Sequence, residues 1–145
     1  MTNLFDEENF VNKSFWIGYV VVFIAAQAMN FVIHEVLLGA TYQSLGSVFR
    51  PEAEMTEMMW IMFAGGAVSL FVFCYIFTKG YENRGIGEGI RYGLLIGLLL
   101  AVPYALDQYV VYPISAFVAA MWLISGLFTF AVLGAIFSAV YKPTV

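Results

Sequence analysis

Four long apolar runs, Phe15 to Leu38, Met58 to Phe77, Ile90 to Leu106 and Ile114 to Tyr141, decide what this chain can become. A helix needs about 20 such residues to cross the hydrocarbon layer of a bilayer. Hydrocarbon offers no hydrogen bonds, so each span must satisfy its own backbone, and runs of this length specify an all-α integral membrane protein. Charged residues make up 11% of the sequence, against about a quarter in a soluble domain. The connectors leave no room for a soluble domain. Residues 1–145 are therefore expected to form a single transmembrane domain, four helices in an antiparallel bundle.

The first run is expected to stay in the protein. A secretory h-region is about 7 to 15 residues long and follows a basic segment, whereas this run is longer and follows Asp6, Glu7 and Glu8. Cys74 is the single cysteine, which excludes a disulfide within the chain and a thiolate metal cluster.

Orientation follows from the basic residues. Lys13, Lys79, Arg84, Arg91 and Lys142 fall on one side of the four spans and Arg50 alone on the other. That bias predicts cytoplasmic N and C termini, and argues against dual-topology insertion. Tyr and Trp residues fall where interfacial belts are expected: Trp16, Tyr19, Tyr92 and Tyr141 inside, Tyr42, Trp60, Tyr104, Tyr109 and Tyr112 outside.

Pro51, followed by Glu52, Glu54 and Glu57, marks the start of the second helix, because proline suits the first helical turn and acids suit its positive dipole end. Pro113 is expected to open the fourth helix in the same way. Pro103 lies inside the third span and removes the hydrogen bond to the Leu99 carbonyl, which predicts a kink. Asn3 to Val11 has the pattern of a short interfacial helix with Leu4, Phe5 and Phe10 inserted.

The strongest packing signal is in the third span. Gly85, Gly89, Gly93, Gly97, Ala101 and Ala105 recur every fourth residue and set a flat strip along one helix face. A neighbour inside the bundle is favoured over a second chain. The candidates are the Ala64–Ala67 cluster of the second span and the Gly126, Gly134, Ser138 face of the fourth. Gly85-Ile86-Gly87-Glu88-Gly89 superficially resembles a phosphate loop, but no strand precedes it, so it reads as the turn that starts the third helix.

Polar side chains interrupt the first span. Gln27, Asn30 and His34 follow helical spacing and share a face, with Glu35 about a hundred degrees further round. At about 1.5 Å per residue, Gln27 lies near mid-membrane and His34 close to the outer surface. Gln27 and Asn30 read as interhelical hydrogen bonders. His34 and Glu35 are expected to join Tyr42, Arg50, Asp107 and Gln108 in an outer polar cluster. This group is either a satisfied structural pair or a ligand site. No second histidine or carboxylate set completes a metal site, and no nucleophile and base pair supports catalysis. His34 is at most one axial ligand for haem or a chlorophyll-type pigment shared with a partner.

Phe31-Val-Ile-His34-Glu35-Val-Leu37-Leu38, Phe49-Arg50-Pro51-Glu52-Ala-Glu54 and Gly89-Ile-Arg91-Tyr92-Gly93 together resemble a group of small four-helix bacterial inner-membrane proteins with no established activity. The resemblance covers most of the chain and implies the same architecture and membrane. In that group glycine often follows the histidine, so Glu35 is a departure. Three function classes remain: a non-catalytic subunit or stabilising partner of a larger membrane complex, a small oligomeric transporter or channel, and an enzyme or electron carrier. Coupled transport calls for a mid-membrane charge, and Glu35, Arg91 and Asp107 all lie near boundaries. The subunit reading is favoured, with the lipid bilayer and other membrane proteins as partners and no nucleic acid.

Overall fold

A computed structural model describes residues 11–143. Apart from Val11, the expected interfacial helix lies outside the described residues. These are all-helical: α1 (Lys13–Phe31), a π turn (Val32–Leu37), α2 (Gly39–Ser44), α3 (Glu52–Lys79), α4 (Ile86–Val111) and α5 (Ala116–Val140). Among the described residues, four helical stretches, Lys13–Leu37, Glu52–Lys79, Ile86–Val111 and Ala116–Val140, are long and apolar enough to cross a membrane.

α3 and α4 overrun the apolar limits read from the sequence at both ends. α3 starts at Glu52 with Pro51 as its cap residue, because a helix persists through headgroup-level polar residues that hydropathy leaves out. α5 begins later than expected. Pro113 stays in the preceding turn and Ser115 caps the helix, its hydroxyl accepting from the Val118 amide at 3.3 Å. Pro103 sits within an α4 that runs unbroken to Val111.

The glycine strip is consumed inside the chain. Gly89, Gly93, Gly97, Ala101 and Ala105 are all buried. A β-carbon on Gly89 would collide with the Gly134 carbonyl, and one on Gly93 with the Phe130 carbonyl. Gly97 faces Leu127, and Gly126 faces Ala101. Ascending positions of α4 thus meet descending positions of α5 at backbone contact, the approach that small residues permit. The partner face is therefore that of α5. Gly85 is not part of the strip: it takes φ +71° as the residue before α4, and an added β-carbon would meet nothing within 4 Å.

The main core joins α1, α3 and α5. Phe15 and Val22 from α1, Phe73, Cys74 and Phe77 from α3, and Leu133, Phe137 and Tyr141 from the α5 end are buried together. Phe137 is the hub, with Phe15 and Phe77 edge-on at 5.8 and 5.5 Å, and Gly18 gives its ring room. The core lies towards one end. There the Asn12 side-chain amide donates to the Lys142 carbonyl at 2.8 Å, and the Lys142 amide donates to the Ser14 hydroxyl at 2.9 Å. Tyr81, in the α3–α4 turn, packs edge-on to Tyr141 at 5.3 Å, so this turn joins both described chain ends.

The opposite end is open. Every residue of α3 from Glu52 to Gly65 is exposed, and α3 meets α4 at few points.

Candidate functional site

The sequence marked His34 in a helix, and the structure places it in the π turn. The Leu38 amide donates to the Ile33 carbonyl five residues back, at 3.0 Å. Such wide turns often occur at functional positions. The wide turn begins at Val32, two residues before His34, within the polar stretch read from the sequence. Ile33 and Leu38 turn inward, His34 is half-buried, and Glu35 is exposed.

His34 is held from the side by Tyr42 of α2. The His34 Nδ1 and Tyr42 hydroxyl are 2.7 Å apart, and the rings stack with centroids 5.9 Å apart. The Trp122 indole N–H donates to the same hydroxyl at 2.6 Å. An indole only donates, so the Tyr42 oxygen accepts from Trp122 and its own hydrogen is available to His34. The Tyr42 oxygen has a second lone pair, so the contact forms with either tautomer of a neutral His34 ring. Phe49 packs edge-on to Tyr42 at 5.4 Å, and Tyr104 of α4 approaches Trp122 at 5.7 Å. Below them Ile114, Val118 and Ala119 form a second buried cluster, with Tyr42, Leu45 and Val48 packed on it. Burial raises the Tyr42 hydroxyl pKa above its ordinary value, which keeps the donor protonated.

This array ties the end of the first span, and the segment after it, to α5. Tyr42→Phe leaves the Trp122 N–H and His34 Nδ1 without their shared partner. The expected loss is about 1–3 kcal/mol, read as a lowered unfolding midpoint in detergent. An unchanged midpoint would show that the contact carries no stability.

The other residues expected in an outer cluster lie apart from this array. Arg50 pairs with Glu54 one helical turn on, at 3.6 Å with both side chains more than half exposed, a pair of small value. Asp107 is exposed and Gln108 half-buried, and no hydrogen bond joins either to His34 or Tyr42 among the described residues. Gln27 is half-buried against α3, its amide nitrogen 4.0 Å from where a β-carbon on Gly66 would lie. Asn30 is exposed and its side chain has no hydrogen bond among the described residues. No group of three or more His, Cys, Asp or Glu able to hold a metal occurs among the described residues.

Two groups escaped the sequence reading. Trp122 is one, and its interfacial indole, which needs a hydrogen-bond partner when buried, was the available signal. The other is Glu88, which is 5% exposed at the opposite end. Its carboxylate accepts from the Glu82 amide at 2.6 Å and the Arg84 amide at 2.7 Å. Its place three residues after the residue preceding the helix is the spacing at which an acid reaches back to free amides. Glu82, by contrast, is on the surface. Its hydrogen bond to Arg91 and the nearby Arg84 charge hold its carboxyl below the ordinary range.

Set against protein-family models, curated proteins and solved structures, the chain matches none of them.

Proposed function

We propose that this protein is a non-catalytic subunit or stabilising partner of a larger complex in a bacterial inner membrane. Its four spans form an antiparallel bundle with both termini in the cytoplasm. One observation carries the subunit reading: the outer half of α3, Glu52 to Gly65, is exposed along its whole length, and Asn30 of α1 is exposed with no hydrogen bond among the described residues. Lipid tails can cover Met55, Met58, Met59 and Met62 but cannot hydrogen-bond the Asn30 amide. A partner helix does both. Flexible methionines suit such a surface because they adapt to the shape that meets them. The orientation draws support from the basic residues. Lys13, Lys79, Arg84, Arg91 and Lys142 lie near the joined chain ends and the α3–α4 turn, and Arg50 lies apart.

The test is a photo-crosslinking residue at Met62 in native membranes, with Leu99 on α4 as the control position. A defined foreign membrane protein captured from 62, and lost on Asn30→Leu, supports the reading. Capture of a second copy of this chain alone would overturn it in favour of a homo-oligomeric transporter or channel. A haem or chlorophyll absorption band abolished by His34→Ala would point instead to pigment ligation.

A further inference from the structure

A second feature lies at the opposite end of α3, away from the partner face. Between α3 and α4, which meet at few points, a cavity of about 360 Å³ opens. Lys79 and Arg91 border it, Phe77 and Tyr92 furnish aromatic surface, and Ile76 and Leu95 form apolar walls. The Tyr92 hydroxyl donates to the Phe73 carbonyl and fixes the floor across the two helices. One helical turn beyond Ile76 and Leu95, exposed Val72 and Leu99 continue the two walls towards mid-membrane.

The charges at the mouth are arranged by their neighbours. Glu88 also borders the cavity, but both of its oxygens are engaged by the Glu82 and Arg84 amides. Glu82 holds the Arg91 guanidinium by its Nη2 at 2.9 Å. A guanidinium has five donors in a planar fork, so a grip at one end orients the rest for a second oxyanion. Lys79 borders the groove and rests its ammonium 4.7 Å from the Tyr75 ring centre, from which its flexible stem can swing the charge to the groove mouth. Cations at the membrane surface joined to an apolar groove between two helices match the two halves of a phospholipid.

We propose that this groove binds one anionic phospholipid, its phosphate at Arg91 and Lys79 and an acyl chain between α3 and α4 along Ile76, Leu95, Val72 and Leu99. The proposal rests on the membrane-spanning architecture and is independent of any partner protein. A free phosphate would use the cations alone and leave the apolar walls unfilled.

Native mass spectrometry of the full chain in mild detergent tests the proposal, with phosphatidylglycerol, phosphatidylcholine of the same acyl chains, and glycerol 3-phosphate added separately. Phosphatidylglycerol should be retained about tenfold better than phosphatidylcholine, with no retention of glycerol 3-phosphate. The Lys79→Gln, Arg91→Gln double variant should lower phosphatidylglycerol occupancy about tenfold. Lys13→Gln, which removes an exposed cation of the same end from outside the cavity, should leave it unchanged. Leu95→Trp fills the apolar wall without touching a charge and should also reduce occupancy, which decides the matter if the double variant does not fold. Equal retention of the two lipids, an equal loss with Lys13→Gln, undiminished binding in Leu95→Trp, or equally tight binding of glycerol 3-phosphate would each overturn the proposal.

Discussion

Gly93→Leu should unfold the α4–α5 pair. Two effects oppose each other at this position. Replacing a helical glycine gains up to about 1 kcal/mol of backbone propensity. The new β-carbon, however, would sit on the Phe130 carbonyl and Ala131 Cα, and backbone cannot rotate aside as a side chain can. The steric term wins, and α4 must lift from α5 along much of the strip. The expected loss is about 3 kcal/mol, at the upper end for overpacked cores. Reversible unfolding in mixed micelles measures it, with Gly87→Ala as the control. An added β-carbon at Gly87 meets nothing within 4 Å, so that variant should be neutral or slightly stabilised. If Gly93→Leu kept the native midpoint and changed only oligomer size, the strip would belong to an interface between chains.

The second large effect is expected at Glu88→Ala. Removing a buried charge often costs little when its partner leaves too, because desolvation offsets attraction. The partners of Glu88 are the backbone amides of Glu82 and Arg84, which stay in place whatever side chain occupies 88. Hydrogen bonds to a charged acceptor contribute about 1.5–3 kcal/mol each. Water at the turn can restore part of this, which leaves an expected net loss of about 2–3 kcal/mol. Glu88→Gln retains one acceptor oxygen and should lose about half as much. The same unfolding assay separates the two, and protease cutting between Gly80 and Gly85 should rise in the alanine variant. Equal stability of all three proteins would mean that the carboxylate is not what orders the turn.

How much of this was legible depends on the kind of signal. Hydropathy located all four long helices because lipid imposes the same demand on each, and the period-four glycines identified a real close contact because only small residues permit one. Helix ends were less legible. Pro51 and the acids after it did mark the start of α3 at Glu52, outside the apolar run, but Ser115 takes the cap that Pro113 was expected to mark. The π turn was invisible, since an i to i+5 hydrogen bond leaves no composition mark. His34 and Tyr42 were both candidate residues and do meet. Their link to Trp122 spans 80 residues of sequence and could be read only from the folded chain. Arg50 looked like a counter-charge for Glu35, but Glu54 one turn away is its closer neighbour.

The joint between Asn12, Ser14 and Lys142 also has a place in time. α1 is synthesised before α5, which carries the Phe137 it packs against. α4 and α5 are neighbours in sequence and can pair as soon as both have been inserted, but Phe15 and Gly18 of α1 meet Phe137 only once α5 is in place. A nascent chain stalled before α5 therefore leaves one face of α1 open, although Phe71 of α3 already packs against Phe15.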